Sequence, residues 1–219
     1  MMKILDYGNL IRELPCQNQG FDIYRKNWFV ESQEDNINEI FKNSDKDKKI
    51  TINRFDIENS KNNLPIFIVK TLMWGYPTKG RGKNIDKLLS KESLTNLISK
   101  LQNYSDRDIS IELLKSDIKE IDGLGLSTMT KFTNFLNTTI NGNKAVILDL
   151  QIISAINRGV FEEFKNLERI NYDNAIKYYP EYLSIIGTIS KKINSTPDQI
   201  ENFLFLFGRS LSEIKNTAN

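Results

Sequence analysis

Chemistry in this chain has to rely on carboxylates, lysines, tyrosines or serines, because its 219 residues include no histidine and only one cysteine, Cys16. The missing histidine excludes Ser-His-Asp and Cys-His mechanisms, and also His-ligated zinc, iron and haem. A single cysteine excludes an internal disulfide and a four-cysteine iron–sulfur cluster. We therefore predict no metal and no cofactor, and we expect an enzyme of this composition to use a carboxylate or a lysine.

A tight reversal that could hold DNA is predicted near the middle of the chain. Gly123 and Gly125 stand one residue apart between two segments of helical spacing, and glycine accepts the left-handed backbone angles of such a turn. Ser127 and Thr128 then begin the second helix. The first amides of a helix lack internal partners and can hold a phosphate. The pattern predicts a grip on a DNA strand that does not depend on base sequence.

Two charged side chains near this turn could take part in catalysis. Lys131 follows Ser127 by one helical turn, so both side chains can share a face. Asp149 comes directly after the apolar run 145–148 and precedes a further helical segment. An aspartate in that position is also a common helix cap, so a purely structural role stays open.

The stretch from Ile121 to Asp149 resembles the helix-hairpin-helix DNA glycosylases, and 8-oxoguanine glycosylases in particular. This superfamily also contains endonuclease III and the adenine-mismatch glycosylases. Its shared pattern is a hairpin of the form apolar-x-Gly-apolar-Gly, a helix, and a short apolar segment that ends in an essential aspartate. Here the hairpin reads Ile121-Asp122-Gly123-Leu124-Gly125, and Ala145-Val146-Ile147-Leu148 precedes the aspartate.

The resemblance extends over roughly residues 60–210 and implies a mainly α fold. We expect a helix-hairpin-helix glycosylase-like bundle over residues 61–219. Residues 1–60 are expected to form an N-terminal extension that packs on this core and holds short strands, because 21–24 is aromatic and β-branched.

The sequence departs from the family pattern in ways that narrow the prediction. Asp122 stands where the family usually has proline, which puts an acid beside the expected phosphate grip. Ser127 occupies the position at which bifunctional members carry a lysine nucleophile, as serine does in the adenine-mismatch enzymes. Asp149 lies 24 residues after Gly125, a few more than usual, and the polar stretch 137–144 is the expected site of the surplus. The four cysteines of the cluster-containing members are missing.

The resemblance implies cleavage of the N-glycosidic bond of a damaged or modified base in duplex DNA. The sugar passes through an oxocarbenium-like state, which a carboxylate stabilises while it orients water. Asp149 is the predicted carboxylate, and Ser127 is also a predicted catalytic residue. Serine at position 127 favours a monofunctional enzyme that releases the base with water. Lys131 is the alternative, since it could supply the nucleophile of a lyase.

The resemblance also implies that a helix, here 64–74, is followed by a loop that inserts into DNA with the target base flipped out. The predicted DNA contacts of this loop and of the hairpin are Trp74, Tyr76, Lys79, Arg81, Lys83, Gly123, Leu124, Gly125, Ser127 and Thr128. The two aromatic residues would wedge or stack, and the three basic residues would meet phosphates. Trp74 ends an apolar helix, so a core position is an equal alternative for it.

Two other functions stay open from the sequence. The chain could be a non-catalytic DNA-binding module in a repair or defence complex, or a helical interaction protein whose hairpin is structural. The 30 basic and 28 acidic residues nearly balance, so DNA contact has to be local. An acid at Asp6 and the lack of a long apolar stretch predict a cytoplasmic protein that does not span a membrane, and we expect a monomer. The sequence does not identify the excised base.

Overall fold

The computed structural model describes residues 1–80, 82–167 and 169–211. The α-helices in chain order are α1 (Gly8–Arg12), α2 (Glu34–Ile40), α3 (Arg54–Glu58), α4 (Leu64–Gly75), α5 (Asn84–Leu88), α6 (Lys91–Leu101), α7 (Ile111–Glu120), α8 (Leu126–Phe135), α9 (Leu150–Asn157), α10 (Ala175–Ile193) and α11 (Pro197–Phe207). The strands are β1 (Gly20–Tyr24), β2 (Lys49–Asn53), β3 (Asp108–Ile109), β4 (Thr139–Ile140) and β5 (Asn143–Lys144). Short 3-10 helices lie at Ile4–Tyr7, Cys16–Asn18, Arg25–Asn27, Glu31–Gln33 and Glu162–Leu167. The predicted mainly α class with short strands is confirmed.

The chain forms two compact units, which are described separately. The central unit is Gln17–Ala145. The terminal unit combines Met1–Cys16 with the chain from Val146 onward. The sequence-based division at residue 60 stays a prediction.

Helix α4 forms the core of the central unit. Asn63 caps its start through a side-chain oxygen that accepts from the Ile66 amide, and Pro65 suits the first turn, where no amide partner is needed. From Ile66 to Trp74 every side chain except Lys70 is buried, so the helix is covered on nearly all sides. It packs against α2, α6 and α8. The antiparallel pair β1–β2 also contacts it, in the register Gly20↔Asn53 to Tyr24↔Lys49.

The predicted reversal lies between α7 and α8, and its two glycines have different roles. Gly123 has a left-handed φ of +81°, and a Cβ there would lie 2.4 Å from the Asn84 carbonyl oxygen of α5. Gly125 is extended, at φ −113° and ψ 166°, and precedes the first residue of α8. Gly123 therefore requires glycine for its backbone angle and for close packing, whereas the backbone angles of Gly125 are accessible to any residue.

The polar stretch 137–144 contains a small β-hairpin that the sequence analysis missed. Asn141 and Gly142 have φ values of 49° and 78°, the two consecutive left-handed residues of a type I′ turn. Strands β4 and β5 pair antiparallel across it, and β4 also pairs parallel to β3. The extra residues between Gly125 and Asp149 are thus ordered as part of a three-stranded sheet.

In the terminal unit, α11 packs against both α9 and α10. Thr196 caps α11 in a capping box with Gln199. Gly208 follows the last residue of this helix and has a helical φ of −58°. A Cβ at Gly208 would lie 2.5 Å from the Ala155 Cβ, so glycine serves close helix packing there. No helix in the described part of either unit is long and apolar enough to cross a membrane.

Candidate active site and DNA-contact residues

The amine of Lys131 is enclosed within the central unit, although lysine is among the residue types least often buried. Its side chain is 3% exposed. Nζ donates to the Ser127 carbonyl oxygen at 3.1 Å and contacts Ser127 Oγ at 3.0 Å. It also lies 5.3 Å from the centre of the Tyr76 ring, a cation–π distance. No carboxylate of the described residues lies within ion-pair distance of this amine.

Helix α4 supplies the wall against which Lys131 lies. A Cβ at Gly75 would come within 2.9 Å of both Cδ and Cε of Lys131, so a larger residue there would force the lysine stem to move. Tyr76, half-buried, shares a hydrogen bond of 2.8 Å with Thr128 Oγ1. We call the group formed by Lys131, Gly75, Tyr76, Thr128 and Ser127 the lysine cluster. The structure thus brings Tyr76 of the predicted loop together with three predicted residues of α8.

The turn before α8 presents unsatisfied backbone donors. The amides of Leu126 and Ser127 have no acceptor among the described residues, and Gly125 has no side chain to cap them. Asp122, the acid in the family's proline position, is paired with Lys87 at 3.3 Å, and both side chains are exposed. Lys87 therefore offsets the negative charge beside these amides.

Leu124, one of the predicted DNA contacts of the hairpin, is buried, so its side chain packs in the interior of the protein. The remaining predicted contacts lie around the loop after α4. Lys79 Nζ is held by the Asp86 carboxylate at 2.5 Å and by the Phe29 carbonyl oxygen at 2.7 Å. Lys83 is exposed at the start of α5. Arg81 lies outside the described residues.

Trp74 lies in the core, the second of the two positions that the sequence left open for it. Its side chain is 4% exposed, and Nε1 donates to the Gln19 carbonyl oxygen at 3.0 Å. Its ring meets Phe135 edge to face at 5.4 Å between centroids. A ring so enclosed within the central unit cannot insert into DNA without unpacking the core.

Asp149, in the terminal unit, caps α9 with one of its two oxygens. Oδ1 accepts from the Gln151 amide at 2.9 Å and from the Ile152 amide at 3.0 Å. The side chain is half-exposed, and Oδ2 has no hydrogen-bond partner within the described residues. The capping role and a chemical role, alternatives at the level of sequence, therefore involve different atoms and are compatible.

The buried run before Asp149 is held by two tyrosines of α10 that the sequence analysis missed. Tyr179 Oη donates to the Val146 carbonyl oxygen at 2.7 Å, and Tyr182 Oη donates to the Ile147 carbonyl oxygen at 3.0 Å. A buried tyrosine usually finds a partner for its hydroxyl, so two tyrosines three apart on the apolar face of a helix were a usable signal. Their acceptors, more than thirty residues earlier in the chain, were not predictable from one sequence.

Comparison with known proteins identifies the family of the chain. The chain belongs to the protein family described as "Putative 8-oxoguanine DNA glycosylase OGG-like protein", whose model matches residues 14–205. The match includes the turn, the lysine cluster and Asp149. No curated protein and no solved structure matches the chain. Membership in this family indicates a DNA glycosylase, with DNA as its partner.

Proposed function

We propose that the chain removes a damaged base from duplex DNA in base excision repair, with Asp149 as the essential carboxylate. The observation that supports this proposal is that the two carboxylate oxygens of Asp149 have different roles. Oδ1 is fixed by two amides of α9, while Oδ2 is left for a ligand. A carboxylate held in one orientation stabilises developing positive charge without first reorganising, which is the condition for electrostatic catalysis.

In the proposed reaction, the bond between C1′ and the base nitrogen breaks as positive charge develops on the sugar. Asp149 stabilises this charge and orients a water molecule. The water adds to C1′ and loses a proton, and the base leaves with a proton, so an abasic site remains. No histidine is needed for any of these steps.

The proposed contacts with DNA are concentrated on the turn before α8. The free amides of Leu126 and Ser127 suit a phosphate oxygen, since the positive end of the α8 dipole points in the same direction. Lys83 is exposed and adds a cation for the backbone. Trp74 is left out of the proposed interface because it is buried. Tyr76 contributes through Lys131, whose amine faces its ring.

A second activity, cleavage of the strand at an abasic site, is favoured by one contact. Bifunctional members have a lysine at the position of Ser127, and here the Lys131 amine lies 3.0 Å from Ser127 Oγ. A lysine one turn later thus brings an amine to that position. As a free amine it would add to the C1′ aldehyde and form an imine as water leaves. Loss of a C2′ proton would then expel the 3′ phosphate.

The test is single-turnover incubation of the full chain with duplexes that carry 8-oxoguanine, alkylated, deaminated or mismatched bases. We expect abasic product first from the 8-oxoguanine duplex, because the family description names that base. Borohydride added to the same reaction traps an imine and so reports on the second activity. Salt-sensitive binding without abasic product in any duplex would instead indicate a DNA-binding module. Lack of binding at low salt would indicate an interaction protein.

A further inference from the structure

The segment that leads to Asp149 is buried but belongs to neither a helix nor a sheet. Residues 145–148 are all buried and follow β5 without strand pairing of their own. Buried carbonyl groups need a hydrogen-bond donor, and in a segment outside helices and sheets that donor has to come from elsewhere. Val146 and Ile147 take it from side chains, the hydroxyls of Tyr179 and Tyr182.

The two tyrosines are held rigidly themselves. Both are 0% exposed, and their rings lie 6.2 Å apart at an interplanar angle of 23°. They stand three residues apart on α10, so their side chains project from one face of the helix. Burial, with a smaller contribution from Glu201, raises the pKa of Tyr182 well above its ordinary value. The phenol therefore stays protonated and remains a donor throughout the pH range of an enzyme assay.

The position of Asp149 follows from this arrangement. Only Leu148 separates Ile147 from Asp149, and the chain advances about 3.8 Å per residue between Cα atoms. From Asp149 onward the chain is fixed by the cap of α9. A shift of the 146–147 backbone would thus be transmitted to the carboxylate, and misplacement by about 1 Å can cost a reaction about 100-fold.

We propose that Tyr179 and Tyr182 are positioning residues for Asp149, acting through the carbonyl groups of Val146 and Ile147. The proposal rests on the proposed function of Asp149, and it assigns these tyrosines no contact with DNA. If the tyrosines had a purely structural role, removal of their hydroxyls would lower stability, as the loss of any buried hydroxyl does. If they position Asp149, removal of the hydroxyls should lower the rate of base release more than it lowers stability or DNA affinity.

The test uses Tyr179→Phe, Tyr182→Phe and the double variant, with Tyr104→Phe as a matched control. Tyr104 is also buried, and its hydroxyl donates to Asp117 in the central unit at 2.6 Å. At a temperature at which every variant is folded, we expect the double variant to release base about 10–100-fold more slowly, with unchanged Kd for the duplex. Tyr104→Phe should stay within about twofold of the wild-type rate. Equal rate losses in the control and the double variant would overturn the proposal.

A second readout does not depend on activity. Amide hydrogen exchange should show Gln151 and Ile152, the residues that Asp149 caps, losing protection in the double variant by about tenfold more than α11. Unchanged protection of these two amides would overturn the proposal that the tyrosines hold Asp149, even if the rate of base release fell. If the wild-type chain releases no base from any duplex, the proposed function fails alone, and hydrogen exchange still decides whether the tyrosines hold Asp149.

Discussion

The Asp149 turn and the lysine cluster present their charged groups in opposite ways. Asp149 is half-exposed, with one oxygen capping α9 and one free within the described residues. Lys131 is 3% exposed, and its amine is directed at Ser127 and the Tyr76 ring. The carboxylate can meet a ligand as it stands. The amine first has to give up a contact with Ser127, so the two groups should differ in how directly a substitution affects base release.

The largest expected effect is that of Asp149→Asn. Asparagine caps helices as well as aspartate does, so the free energy of unfolding should change by less than about 0.5 kcal/mol. Removal of the charge should slow base release by about 100-fold or more. Single-turnover rates and urea denaturation measure the two effects. Asp149→Ser, which also keeps a capping oxygen, should be equally impaired, and full activity in either variant would refute the role of Asp149.

Lys131→Met should separate the two activities. Methionine keeps the length and apolar stem of the side chain but has no amine, so borohydride trapping should fall to background. Base release should stay within about tenfold of wild type, since water remains the nucleophile. The control is Lys177→Met, because Lys177 also lies over a tyrosine ring, that of Tyr178, but on the exposed surface of α10. Trapping that persists without Lys131 would exclude it as the nucleophile.

Gly75→Ala tests the enclosure of Lys131 without changing the lysine. The new Cβ would lie 2.9 Å from its Cδ and Cε, and the flexible lysine would have to move. We expect trapping to fall several-fold, while stability changes by less than about 1 kcal/mol because alanine favours the helix. Base release should stay close to the wild-type rate in Gly75→Ala, because water remains its nucleophile. Equal losses of trapping and of base release would show that the substitution does not act through Lys131.

The smallest expected effect concerns the charge beside the turn. Asp122→Asn should free Lys87 and remove a repulsion of phosphate, so the duplex should bind about two- to threefold more tightly at low salt. The gain should disappear at high salt, where exposed charges are screened. Lys87→Met should act in the opposite direction. Equal affinity of all three proteins at low salt would show that the pair lies outside the interface.

The local features of the fold were predictable because they depend on neighbouring residues. Asn63 and Pro65 mark the start of α4, and Thr196 with Gln199 marks the start of α11. The turn at Gly123 and the segment before Asp149 were also placed correctly. Asn141-Gly142 is a local signal of the same kind, since this pair favours the type I′ turn of a hairpin.

The features that depend on distant contacts were not predictable from one sequence. Gly75 was read as the end of a helix, whereas its lack of a side chain also makes space for Lys131, 56 residues later. The tyrosine hydroxyls of α10 reach carbonyl groups more than thirty residues away. Trp74 could equally have been a wedge or core, and its contact with Phe135 was needed to decide.

The β4–β5 hairpin has a consequence for how the chain can vary in length. Its base is closed by a hydrogen bond of 3.0 Å from the Ala145 amide to the Thr138 carbonyl oxygen. The six residues between them leave the path of the backbone and return to almost the same point. Sequence distance from Gly125 to Asp149 can therefore grow or shrink here without a matching change in the positions of Thr138 and Ala145. In comparing members of the family, residue spacing across this segment is a poor measure of distance in space.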